Sequence, residues 1–133
     1  MSAEQGLKNW HRVLDSGSDP AALAEIIRDD AVFHSPVVHT PQEGRAKVVG
    51  YLAAAGVVLN TDAFRYVREF SDGNQALLEF VTELDGIQIN GIDLITFDDS
   101  GLIAVFKVMV RPLKAINKVW DMMGAQLAAT AKS

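Results

Sequence analysis

With 133 residues, a hydrophobic fraction of 49% and no cysteine, the chain has the size of one domain and enough apolar side chains for a sizeable core, and it has no means of forming disulfides, thiolate nucleophiles or cysteine-ligated metal sites. Its 12 Lys+Arg against 17 Asp+Glu give a net charge of −5, which argues against nucleic acid as a partner, because phosphate binding needs a basic patch. No run of positive charge suits a membrane anchor, residues 1–13 lack the pattern of a signal peptide, and the longest apolar stretch, Val48 to Leu59, is too short to span a bilayer, so a soluble, cytoplasmic protein is expected.

Residues 3–16 place Leu7, Trp10, His11 and Leu14 at helical spacing; Ser2 can cap the start with Gln5 completing a capping box, and Gly17 ends the helix. Asp19-Pro20 then restarts a helix, with Asp19 as cap, Pro20 at the first helical position, and Leu23, Ile26 and Ile27 as the apolar face. Residues 31–38 read as a strand ended by Pro36 and a turn at Pro41. A third helix covers about residues 44–58, with Val48, Tyr51, Leu52 and Ala55 as its buried stripe. The period then changes to two. Four strands, at about 63–71, 74–85, 87–97 and 102–111, are joined by Ser71-Asp72-Gly73, Asp85-Gly86 and Asp98-Asp99-Ser100-Gly101, which are hairpin signals. Pro112 breaks the last strand, and residues 113–128 read as a helix with Ile116, Val119, Trp120 and Met123 on one face.

Strand alternation singles out Asp93, which shares a face with Ile87, Ile89, Ile95 and Phe97. A carboxylate in the middle of an apolar face must be paired, protonated or used. Pairing Leu84 with Ile87 across the Asp85-Gly86 turn places Leu78 opposite Asp93, and pairing Phe97 with Leu102 places Phe106 opposite it on the other side. A three-residue loop at 71–73 puts Phe64, Tyr66 and Phe70 on this face as well. The other face carries Ile92, Leu94, Ile103, Val105, Lys107 and Met109. Helices can cover only one face, so a second subunit is expected on this one, giving a homodimer through Ile92, Leu94, Val105, Lys107 and Met109.

The order of elements, together with Asp29-Asp30-Ala31-Val32-Phe33-His34-Ser35-Pro36, Glu43-Gly44-Arg45 opening a helix, and Gly91-Ile92-Asp93-Leu94-Ile95-Thr96-Phe97-Asp98, resembles the nuclear transport factor 2-like superfamily, in its SnoaL-like polyketide cyclase and ketosteroid isomerase branch. The resemblance implies a single SnoaL-like domain over residues 1–133, with a core at about 5–112 and a C-terminal helical extension at about 113–128. It implies an α+β fold in which a cone-shaped, curved antiparallel sheet wraps around helices, as in cystatin-like folds. It also implies a pocket for a small hydrophobic molecule between sheet and helices. The isomerases carry a carboxylate base before the proline of the first strand, where this chain has Ser35. They carry an oxyanion-binding tyrosine on the first helix, where it has His11, and a protonated Asp on a central strand with a Phe four residues on, matched by Asp93 and Phe97.

Asp93 is therefore the candidate acid and His11 its candidate polar partner, with Ser35 at the base position. His34 is a further catalytic candidate: the register implied by the resemblance points Ser35 into the pocket and His34 away, and a bulge before Pro36 could reverse that parity. Trp10, Phe33, Tyr51, Tyr66, Phe80, Phe106 and Trp120 are the candidate substrate contacts. Histidines 11, 34 and 39 show no short ligand spacing, so no metal is expected, and no phosphate loop or dinucleotide pattern implies a cofactor. The leading expectation is acid/base isomerisation or cyclisation of a small hydrophobic ketone. The alternatives are a non-catalytic small-molecule binding module and a dimeric association domain.

Overall fold

The computed structural model describes residues 3–131 and shows four helices packed on one face of a six-stranded sheet. In chain order the elements are α1 (Ala3–Asp15), α2 (Pro20–Ile26), β1 (Ile27–His34), β2 (Gln42–Glu43), α3 (Arg45–Leu59), β3 (Arg65–Asp72), β4 (Gln75–Leu84), β5 (Ile87–Phe97), β6 (Ile103–Arg111) and α4 (Leu113–Ala131). The strands lie in the order β2-β1-β6-β5-β4-β3, an open, curved α+β sheet of the expected kind. Its pairings are antiparallel except β1 with β6, which run parallel, with β2, α3 and the β3–β5 meander between them in the chain.

The helix starts follow local chemistry. Asp19 accepts a hydrogen bond from the Ala22 amide at 3.2 Å and Pro20 occupies the first helical position, as expected. The expected Ser2 cap lies outside the described residues. Gly44 precedes α3 with φ 99°, a conformation suited to glycine, and its amide bonds the Ala31 carbonyl at 2.8 Å. Arg45 then donates to the Ile27 carbonyl at 2.8 Å and pairs with Asp29 at 2.6 Å. Asp29 and the Gly44-Arg45 pair thus fasten α3 to β1.

Three expectations are corrected. The first strand begins at Ile27 instead of residue 31, so Ile27 belongs to the sheet and not to the α2 stripe, and the chain from residue 39 returns as the short edge strand β2. The β4–β5 register is as derived, with Leu78 opposite Asp93 and Thr82 opposite Ile89, and the turn residues Asp85 and Gly86 have φ 50° and 81°. On the other side, an irregularity between Thr96 and Phe97 pairs Phe97 with Ile103, so Val108 faces Asp93 and Phe106 faces Ile95. A shift of two residues keeps Phe106 on the inner face, whereas Ile103 moves from the expected outer face into the core. In β3, Tyr66 pairs with Phe80 but Arg68 pairs with Glu79, which leaves Val67 as an extra residue. This bulge reverses the parity beyond it. Phe70 is therefore outside and 61% exposed, and Glu69 takes the inner side opposite Leu78.

The inner face supplies Ala76, Leu78, Ile95, Phe97, Ile103 and Phe106 to a core shared with α1, α2 and α3, and Phe80, Leu84 and Ile89 to one shared with α3 and α4. Val48 and Leu52 of the expected α3 stripe are buried, while Tyr51 and Ala55 are half-buried because they border a cavity. On α4 the buried positions are Ala115, Val119 and Met123, and Trp120, expected inside, is 55% exposed.

At the far end of β5 the Phe97 ring seats directly on Gly6, where a Cβ would fall 2.3 Å from the ring. Replacing Gly6 with Ala should therefore lift α1 off the sheet and cost about 1–3 kcal/mol, the range for overpacked cores. Urea unfolding of the variant checks this, and an unchanged midpoint contradicts it.

Candidate functional site

Between the inner face of the sheet and helices α1, α3 and α4 lies a cavity of about 420 Å³, within the size range of small-molecule sites. The sheet forms one wall with Tyr66, Phe80, Asp93, Phe106 and Val108. Trp10 and Leu14 come from α1, Tyr51, Leu52, Ala55 and Gly56 from α3, and Val119, Met123, Gly124 and Leu127 from α4. Phe33 stacks on Tyr51 with ring centres 5.3 Å apart, Phe64 stacks on Phe80 at 5.4 Å, and Trp10 tilts against Phe106 at 4.9 Å. The walls are thus mainly hydrocarbon and aromatic ring. Among the described residues, no Lys, Arg or His lines the cavity, and Asp93 and Asp121 are its carboxyl groups.

Asp93 is only 6% exposed. The Tyr66 hydroxyl donates to its Oδ2 at 2.6 Å, and the Trp10 indole N–H donates to the Tyr66 oxygen at 3.1 Å. Trp10 thus fixes the phenol so that its proton points at the carboxyl group. Burial in the apolar wall penalises the charged form and pushes the Asp93 pKa up to about 7, against a smaller opposing pull from the Tyr66 bond. The same burial, reinforced by the neighbouring carboxylate, raises the Tyr66 pKa well above the usual phenol value. Tyr66 therefore keeps its proton near neutral pH and acts as a donor.

The seven expected substrate contacts, Trp10, Phe33, Tyr51, Tyr66, Phe80, Phe106 and Trp120, all line the cavity, Trp120 with its exposed ring. Ser35 lines it too, and its Oγ accepts from the Val37 amide at 3.1 Å. His34 pairs with Lys107 across β1 and β6 and does not line the cavity, which fits the parity expected for it. His11 does not line it either. Its Nε2 lies 2.7 Å from Glu69 Oε1, in a half-exposed pair brought together by the β3 bulge, and its ring meets the edge of Tyr66 with centres 5.7 Å apart. The polar partner of Asp93 is Tyr66, not His11. That pairing was within reach of the sequence: Tyr66 faces Phe80, the inner-face neighbour of Leu78, which itself faces Asp93. Sequence reasoning did not find Ser18, Val37, Val38, Gly124 or Ala125 as lining residues, because turns and small residues carry no periodic signal.

The curved, open α+β sheet with helices on one face is the nuclear transport factor 2-like fold. Residues 7–106 match the SnoaL-like domain, and the chain belongs to that family, in the branch that includes ketosteroid isomerase-like proteins. Among solved structures, the chain is similar to a steroid delta-isomerase from Pseudomonas aeruginosa, at 34% identity over 98% of this chain and 95% of that one, with a TM-score of 0.91. It is also similar to an uncharacterised bacterial protein with a cystatin-like fold from Silicibacter pomeroyi, at 28% identity over 93% and 88% of the two chains, with a TM-score of 0.84. A de novo designed protein with a curved β-sheet shares the fold at 17% identity over 92% and 99%, with a TM-score of 0.71. Comparison with curated protein sequences gives no significant match. Among the described residues, no helix is long and apolar enough to cross a membrane, and no group of three or more His, Cys, Asp or Glu could hold a metal ion.

The raised pKa of Asp93 has a thermodynamic sign. The folded state holds this proton more tightly than an unfolded chain with a pKa of about 3.9, so the stability contribution is fully present below that value and is lost as pH rises through about 7. The loss amounts to about 4 kcal/mol at its limit. Between pH 4 and 8 the wild type should therefore lose stability relative to an Asp93→Asn variant, measured by denaturant unfolding at each pH. A pH-independent difference between the two contradicts the assignment.

Proposed function

We propose that the cavity binds a small, uncharged, apolar carbonyl compound and that Asp93 acts on its oxygen as an acid, in an isomerisation or cyclisation step. The observation that carries this reading is a buried carboxyl group with a pKa raised to about 7, fixed by Tyr66 on the wall of a 420 Å³ apolar cavity. With Oδ2 accepting from Tyr66, a proton on Oδ1 is available to a ligand oxygen. A group titrating near neutrality can donate a proton and, once ionised, take one back, so one residue can serve both directions of a proton transfer. The similarity to a steroid delta-isomerase supports the same reaction class, and the absence of a lining cation among the described residues suits a neutral ligand.

A second reading, binding without turnover, is favoured by Ser35. Its hydroxyl stands where the isomerases carry a carboxylate base and is engaged with the Val37 amide. One experiment separates the two. Wild type, Asp93→Asn and Asp93→Leu are incubated with a panel of cyclic enones in heavy water, and product formation and deuterium uptake are followed by mass spectrometry. The catalytic reading expects turnover by the wild type, a fall of about 10²–10⁴-fold in both variants, and binding retained by Asn, which can still donate a hydrogen bond. Conversion unchanged in both variants removes Asp93 from the mechanism. Binding by the wild type without product or exchange supports the second reading.

We further propose a homodimer through the outer sheet face. Ile92, Leu94, Val105 and Met109 belong to neither buried cluster, and the row Phe70–Leu77–Leu94 runs across three strands on the side away from the helices. Sedimentation velocity should give a dimer for the wild type and a monomer for Leu94→Lys. A wild-type monomer at micromolar concentration rules the interface out.

A further inference from the structure

Ser18 belongs to the turn between α1 and α2, and its surroundings are unusual for a serine. It is 4% exposed, it lines the cavity, and its Oγ is buried without a hydrogen-bond partner, the one such side-chain atom among the described residues. Buried polar atoms are nearly always satisfied, so an exception asks for an explanation. The turn holds the hydroxyl in place. The Ser18 amide bonds the Val13 carbonyl at 3.0 Å, and the backbone sits at φ 56°, where residues with a side chain are uncommon. Gly56 of α3 faces it so closely that a Cβ there would fall 2.8 Å from the Ser18 Cβ and 2.9 Å from its Oγ. Gly56 thus makes room for the serine and offers its hydroxyl no acceptor.

The position relative to Asp93 gives the feature its meaning. Trp10, Leu14 and Ser18 follow one another at steps of four along α1 and its exit turn, and all three line the cavity. Trp10 belongs to the cluster that fixes Tyr66 and Asp93. Trp10 lies five residues before the end of α1 at Asp15, roughly 7.5 Å of helix, and Ser18 lies beyond that end. The cavity therefore carries the Asp93 carboxyl beside Trp10 and, past the end of α1, a seated, unpaired hydroxyl.

We propose that Ser18 is a second polar anchor of the cavity and that the ligand is a rigid apolar molecule with an oxygen function at each end, one addressed by Asp93 and the other, a hydroxyl or carbonyl, hydrogen-bonded by Ser18 Oγ. The proposal rests on the binding half of the function given above and is independent of whether turnover occurs. It makes Ser18 a specificity residue, since a ligand lacking the second oxygen leaves this hydroxyl unsatisfied.

The test uses testosterone and its deoxy analogue lacking the hydroxyl, titrated by calorimetry into wild type, Ser18→Ala, Gly56→Ala and Asp93→Leu. In the wild type the added hydroxyl should tighten binding about tenfold, the worth of one net hydrogen bond. In Ser18→Ala the gain should vanish while the deoxy analogue binds as before, and in Gly56→Ala, where the serine is pushed from its seat, the gain should shrink. A gain that survives in Ser18→Ala overturns the proposal, as does a wild type that gains nothing, whether both steroids bind equally or neither binds. Asp93→Leu keeps the two readings apart: if it binds the deoxy analogue as the wild type does, the role of Asp93 fails while that of Ser18 stands. Thermal unfolding without ligand gives a second readout. Removing an unpaired hydroxyl should leave Tm unchanged or raise it, and a marked fall in Ser18→Ala would show that the hydroxyl has a structural partner, overturning the proposal.

Discussion

The Tyr66–Asp93 hydrogen bond is the interaction around which the rest of the site is arranged. A carboxyl group in an apolar wall is costly when charged. One phenol at 2.6 Å offsets part of that cost without cancelling it, which is why burial still outweighs the bond in setting the pKa. Everything nearby serves that balance. Trp10 orients the phenol, Phe106 backs Trp10, and Phe64 and Phe80 pack beside Tyr66. More donors around Asp93 would have favoured its charged form.

The fold was legible because hydrophobic period and turn chemistry agree along most of the chain. Asp85-Gly86 sets the β4–β5 register and so places Leu78 beside Asp93. Where the sequence misled, the cause was the irregularity of a strand. The bulge at Val67 and the irregularity between Thr96 and Phe97 carry no distinctive residue, and each shifts the neighbours of everything beyond it. Phe70, Ile103 and the β6 residue opposite Asp93 differ from the expected placement for this reason. The parallel pairing of β1 with β6 is a tertiary choice between distant segments that no local pattern records.

The site was legible in its aromatic lining and its buried carboxyl group, and less so in its polar contacts. Aromatic residues at helix and strand periods point inward whatever the details, so all seven expected contacts reached the cavity. The partner of Asp93 depends on which side chain bridges a diagonal across β4, and His11 instead meets Glu69, a residue turned inward only by the bulge. Ser18 lies in a turn, where periodicity says nothing, and its role emerges only from burial and from the facing Gly56.

The extra residue in β3 separates two kinds of information in a single strand. On one side of Val67 the chain addresses the interior with Tyr66, and on the other it addresses the outer sheet surface with Phe70 and the α1 side with Glu69. Without the bulge, Tyr66 and Phe70 would share a face. With it, Phe70 leaves the chamber side and joins Leu77 and Leu94 on the exterior, so one eight-residue strand supplies an aromatic ring to each surface.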